Sequence, residues 1–175
     1  MSWMRGLLVA LVAGALLGGS TGCGSGGGHE QRGGVTASPV GKVLAGTDEE
    51  GRHYREVDRK DAPEVAVEVQ PGARDDWQVR LTVRNFRLSP AGTPPAAVTG
   101  HGVVRLFLDG RPLIWLRTTE YRLPGELIPR GTHQLTARLH ADDRTVWAVQ
   151  GKPVESTADI TASAAEGTAN PGGTG

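Results

Sequence analysis

The chain of 175 residues is 38% hydrophobic and 22% charged, with 26 Gly, 11 Pro and one Cys, which is room for one domain of ordinary size and hardly two. Its 19 basic residues, 16 of them Arg, balance 19 acidic ones, and this removes the electrostatic case for nucleic-acid binding. A single Cys excludes an internal disulfide framework and a Cys-rich zinc site, and aromatics at 5% leave the core to Val, Leu, Ile and Ala.

Residues 1–22 have the layout of an export signal: Arg5 in a short positive head, an apolar run from Leu7 to Leu17, then the small residues Gly18-Gly19-Ser20-Thr21-Gly22. The run of 11 residues is short of the roughly 18–20 that a membrane-crossing helix needs. Small residues directly before the lone Cys23 resemble the lipobox of bacterial lipoproteins, with Ser20 where that family usually places Leu. The resemblance implies that the Cys23 sulfur receives a diacylglycerol group. It also implies that the signal is cut away before Cys23, leaving the mature chain on the extracytoplasmic face of the cell membrane. Two acyl chains, at about 0.8 kcal/mol per buried CH₂, suffice for stable anchoring. Losing residues 1–22 removes Arg5 and no acid, so the mature chain carries a net charge of −1.

Residues 23–62 begin as a Gly/Ser tether, Gly24 to Gly34, of the kind that behaves as random coil. From Val35 to Ala62 charges alternate without an apolar period, as in Asp48-Glu49-Glu50-Gly51-Arg52. This segment is expected to be extended or weakly ordered, with Tyr54 to Val57 the stretch most able to add a strand. Residues 63–163 have a period of two. Val65, Val67 and Val69 alternate with polar or small residues, as do Val79, Leu81 and Val83. Val103 to Leu108 is apolar on both faces apart from Arg105, which predicts a central strand. Asp109-Gly110 is a strong turn dipeptide, with Leu113 to Leu116 as the returning partner. Leu135, Ala137 and Leu139, then Ala158, Ile160 and Ala162, repeat the alternation. About seven short strands at this spacing predict an all-β domain, an immunoglobulin-like antiparallel β-sandwich. Residues 164–175 form an Ala/Gly/Thr/Pro tail expected to be disordered.

Chemistry-bearing residues are sparse. Within residues 63–163 no Gly-x-Ser-x-Gly elbow, P-loop or dinucleotide fingerprint occurs, so the reading is not an enzyme and no cofactor is implied. His133 and His140 are seven residues apart on one strand and fall on opposite faces, so they do not chelate one ion; His133 is expected to close a strand-end corner through a backbone hydrogen bond. His101, in the loop Thr99-Gly100-His101-Gly102, is the better metal candidate, with His133 the second. Asp75-Asp76 and Asp142-Asp143 are acidic doublets expected in solvated turns. Trp77, Trp115 and Trp147 are read as core and rim rather than a sugar-stacking platform.

The segments Gly100-His101-Gly102-Val103-Val104-Arg105-Leu106-Phe107-Leu108-Asp109-Gly110, Tyr121-Arg122-Leu123, Pro129-Arg130-Gly131-Thr132-His133 and His140-Ala141-Asp142-Asp143-Arg144 resemble, within Val98 to Ala162, a family of small His-rich exported bacterial proteins with an immunoglobulin-like domain. That family's histidines imply transition-metal binding, copper in particular. Here Val103, Arg105, Arg122 and Arg144 stand where histidines would fall, and Arg does not deprotonate to ligate a metal. The resemblance therefore implies the scaffold and argues against the family's chemistry. It places Arg105, Arg122 and Arg144 near one another, where three guanidiniums would hold a carboxylate or phosphate bidentately; the plainer expectation is that Arg105 pairs with Glu120 or Asp109. The functional expectation is a lipid-anchored binding module for a protein or small anionic ligand. The alternative is an exported protein handling copper or zinc through His101 and His133.

Overall fold

The computed structural model describes residues 40–163 except Arg74. The stretches expected to be an export signal, a Gly-rich tether and a disordered tail, with Cys23, lie outside the described residues. The chain is mostly β: β1 (Lys42–Thr47), β2 (His53–Glu56), β3 (Glu64–Pro71), β4 (Trp77–Arg84), β5 (Arg87–Leu88), β6 (His101–Leu108), β7 (Arg111–Leu116), β8 (Glu120–Leu123), β9 (Gly131–His140), β10 (Val146–Val149), β11 (Lys152–Pro153) and β12 (Glu155–Ala162). Two single 3-10 turns, Arg59–Asp61 and Gly125–Leu127, complete the described regular structure.

Nine strands form one curled sheet in the order β1-β2-β10-β9-β6-β5, with β11 on β10, β12 on β9 and β7 on β6; β3-β4-β8 form a second sheet. The alternation read from the sequence sets which faces meet. Val67, Val79, Leu81 and Leu123 from the second sheet pack with Val104, Leu106, Leu135, Ala137, Leu139, Trp147 and Ile160 from the large one. β6 lies between β9 and β7 in the sheet and is buried on both faces, as its sequence predicts, with Val104 and Leu106 on the core side and Val103 and Phe107 on the other. Asp109 and Gly110 both take positive φ, 51° and 75°, the two-residue hairpin turn whose twist matches that of its strands. Gly102 has φ 149° and a Cβ there would lie 1.9 Å from the His140 carbonyl oxygen, so only glycine lets β6 lie this close to β9.

Three expectations need correction. The segment expected to be weakly ordered supplies β1 and β2, and the folded unit reaches back from Pro63 at least to Val40. Within residues 63–163 the described strands number ten, two of them only two residues long, rather than about seven. The pairing is also not wholly antiparallel, because β2 lies parallel to β10 and β5 parallel to β6. Hydrophobic period misses β2 because its buried residue is a charge, Arg55, whose guanidinium donates to Asp143 at 2.7 Å and to the Thr145 hydroxyl at 3.0 Å. Asp142-Asp143 is likewise no solvated doublet. The Asp142 side chain is buried, accepting from the Ser89 hydroxyl at 2.5 Å and from Arg117 at 3.3 Å.

Since β2 extends the large sheet and the turn before it supplies Asp48 and Glu49 to the buried Arg138, deleting residues 40–62 should lower the melting temperature by roughly 10 °C or more. Thermal unfolding followed by circular dichroism checks this, with an unchanged midpoint as the contrary result.

Candidate functional site

Strand alternation places Val103, Arg105 and Phe107 of β6 on the face of the large sheet opposite the core, with β9 presenting Thr136, Arg138 and His140 beside them. Arg105 and Arg138 are direct cross-strand neighbours. Two like charges in such a pair repel, and the sheet tolerates them because the turn between β1 and β2 lays three carboxylates over this face. Arg138 Nη1 donates to both Glu49 oxygens at 2.8 and 2.9 Å and to Asp48 Oδ2 at 3.4 Å, and Nε donates to Glu155 at 2.6 Å. Burial opposes the charge on Arg138, yet Glu49 and Glu155 outweigh it and hold its pKa above the ordinary arginine value. For Glu49 burial likewise works against the charge, and Arg138 overcomes it and draws the carboxyl down. Asp48 also folds the turn itself, its Oδ1 accepting from the Glu50 and Arg52 amides at 3.0 and 2.8 Å.

Trp115, cross-strand from Arg105, is the centre of this face. The guanidiniums of Arg144, Arg105 and Arg52 lie 4.3, 4.8 and 5.0 Å from its ring centroid, within cation–π range. Among the described residues, Glu50 is the one carboxylate in ion-pairing distance of any of the three, at 3.3 Å from Arg105 and 3.5 Å from Arg52. Around this ring three positive charges therefore meet one negative charge. Beneath it, His140 stands edge-on to Trp115 at 4.8 Å and has no exposed surface. Its Nδ1 donates to the Arg144 carbonyl at 3.3 Å, while Nε2, like Arg105 Nε, is buried without a partner. Burial pushes the His140 pKa down to about 4.

The three arginines singled out by sequence are thus separated. Arg105 and Arg144 share Trp115, whereas Arg122 sits on β8 in the second sheet, largely exposed, and pairs with Asp76 at 3.2 Å. Arg52 takes the place expected of Arg122. Arg105 does pair with a carboxylate, but with Glu50 rather than Glu120 or Asp109, because the turn that carries Glu50 folds over the strand. Arg138, the best-paired charge of the face, escapes sequence reasoning since alternation assigns it to a wet face. The run Asp48-Glu49-Glu50, an acidic patch without equal local counter-charge, is the one signal that pointed to it.

The two candidate metal ligands are also apart in role. His133 Nδ1 lies 2.7 Å from the Asp109 carboxylate and Nε2 lies 2.9 Å from the Pro129 carbonyl. Both partners only accept, so the ring satisfies both when it carries two protons, and Asp109 first, then Pro129, raises its pKa. A doubly donating imidazole has no lone pair for a metal. His101 Nδ1 donates to the Thr99 carbonyl at 2.9 Å, leaving Nε2 as its acceptor atom. Among the described residues no three His, Cys, Asp or Glu side chains gather closely enough to hold a metal ion.

His140 makes the fold pH-dependent. Its folded pKa of about 4 lies below the unfolded value of about 6.5, so its contribution is complete above pH 6.5. It is lost as pH falls toward 4, on the order of 3 kcal/mol in total. His140→Leu should flatten the stability–pH curve in that window by up to one proton, as measured by urea unfolding at several pH values. A scan against protein-family models, a search of curated proteins and a search of solved structures each found no match to this chain.

Proposed function

We propose that this chain is an exported, lipid-anchored binding module, an immunoglobulin-like sandwich tethered through Cys23 to the extracytoplasmic face of the cell membrane. Its anion-binding face is built on Trp115. The observation that carries the binding half of this reading is the charge imbalance at that ring: Arg52, Arg105 and Arg144 lie within 5.0 Å of its centroid and share Glu50 as their carboxylate. Arg144 is exposed and has no carboxylate within ion-pair distance among the described residues. Guanidiniums with open donor edges favour carboxylate and phosphate oxygens, which they bind in pairs of parallel hydrogen bonds. The anchoring half rests on the apolar run, the small residues and Cys23. The Gly-rich stretch that follows would serve as the leash.

Each half has its own test. Expressed in a bacterial host, the protein should partition into detergent, and Cys23→Ser should abolish this; equal partitioning of the variant would refute lipid anchoring. Titrated with pyrophosphate, the mature chain should bind in a salt-sensitive manner, and Arg144→Gln should weaken binding about ten-fold, the worth of one charge-assisted hydrogen-bond pair. Unaltered pyrophosphate binding in a well-folded Arg144→Gln protein would end the anion reading.

A further inference from the structure

A second concave site lies at the start of β6, lined by none of the Trp115-face arginines. The two-residue β5 turns the chain beside Gly102, and the loop that follows closes an open groove of about 310 Å³, at the lower end of the range for small-molecule sites. Leu88, Pro90 and Val98 give it an apolar wall, and Val98 is 48% exposed, one of two large hydrophobic side chains so exposed among the described residues.

This wall is fixed in place. Arg117 Nη1 donates to the Ser89 and Pro90 carbonyls at 2.7 and 2.9 Å, and the Thr93 hydroxyl donates back to Pro90 at 2.8 Å. The Ala96 amide closes a turn on the Pro94 carbonyl at 2.8 Å, and the His101 amide bonds the Val98 carbonyl at 3.0 Å. Prolines 90, 94 and 95 restrict the loop further. A binding wall ordered in advance loses little entropy when a ligand arrives.

Three ionisable side chains line the groove in distinct roles. Asp142 is already satisfied by the Ser89 hydroxyl and Arg117, so its charge is offset. Arg87 lines the groove and has no carboxylate within 4.0 Å among the described residues. His101, also on the groove, is held by its Nδ1 donating to the Thr99 carbonyl at 2.9 Å. An apolar wall and one uncompensated cation match a ligand with an apolar body and a single anionic group. We infer that the groove formed by β5, the loop after it and the start of β6 binds a small amphipathic carboxylic acid, its apolar body on Leu88, Pro90 and Val98 and its carboxylate at Arg87.

This site is independent of the anion-binding face at Trp115, and the experiment separates the two. The mature chain from residue 23, carrying Cys23→Ser, is titrated with octanoate and, separately, with 1-octanol by isothermal titration and amide NMR. Octanoate should shift amides within residues 87–101 and bind about ten-fold more tightly than octanol, the difference expected for one charge-assisted contact. Arg87→Gln should bring octanoate down to the affinity of octanol. Val98→Asp should abolish both while the melting temperature stays within the range of surface substitutions, and Arg144→Gln should leave both unchanged. Equal affinity for octanoate and octanol in the unaltered protein would overturn the proposal, as would absence of octanoate binding at millimolar concentration. Loss of octanoate binding in Arg144→Gln would assign the carboxylate to the Trp115 face and equally overturn it.

Discussion

The architecture turns on two arginines that face each other across β6 and β9. Arg105 and Arg138 are direct neighbours in the register, on a face where Arg138 keeps only 10% of its side chain exposed. Neither charge is tolerable there unless carboxylates approach within ion-pair distance. The turn from Asp48 to Arg52 supplies them, and its placement fixes β1 before it and β2 after it. The N-terminal charged segment is therefore a structural part of the domain, held by electrostatics where most of the two sheets is held by apolar burial. The aromatic rings assist: Arg138 lies 4.5 Å from the Phe107 centroid and three more guanidiniums surround Trp115, so these arginine stems and planes cover apolar surface, and all but Arg144 also meet a counter-charge.

The same logic operates at the strand ends. Asp109, at the tip of the β6–β7 hairpin, accepts from the Gln134 amide at 2.9 Å through one oxygen and from His133 at 2.7 Å through the other. One carboxylate thus ties the hairpin tip to the beginning of β9. His133 lowers the Asp109 pKa, and the raised His133 pKa means the clasp is complete below the unfolded histidine value and is lost as pH rises through the folded one. His140, on the same strand, has the opposite dependence because burial, not a partner, sets its pKa. Two histidines of one strand therefore pull the stability–pH curve in opposite directions. At the other end of the sheet, Asp142 binds Ser89 and Arg117 together, joining the β9–β10 turn, the loop after β5 and the end of β7, and thereby shaping the groove beside His101.

What the sequence made legible is what period and turn chemistry encode. The central position of β6 followed from apolar residues on both faces, and the Asp109-Gly110 hairpin from a dipeptide that accepts positive φ twice. The core residues of β3, β4, β9 and β12 followed from alternation. Illegible were elements stabilised by buried charge. β2 contains His-Tyr-Arg-Glu, which no hydrophobic period identifies, and its register partners in β10 lie 92 residues away, Tyr54 opposite Val146, in parallel orientation. For the site, sequence identified Arg105 and Arg144 but substituted Arg122 for Arg52. The resemblance placed residues by a pattern of histidines, while the actual grouping depends on a turn that lies outside the resembling stretch.

That turn also decides whether an anion can enter the Trp115 face without unfolding it. Its three carboxylates are not equally committed. Asp48 is buried and makes two backbone contacts besides the one to Arg138, and Glu49 makes a two-oxygen contact at 2.8 and 2.9 Å. Glu50 holds Arg105 and Arg52 only at 3.3 and 3.5 Å, longer than a strong charge-assisted hydrogen bond. A carboxylate or phosphate bound there as proposed would therefore compete with the weakest member of the set. Asp48 keeps the turn closed through the backbone and Glu49 keeps Arg138 neutralised, so exchanging Glu50 for a ligand oxygen changes the occupancy of the arginines without removing the lid that lets them lie side by side.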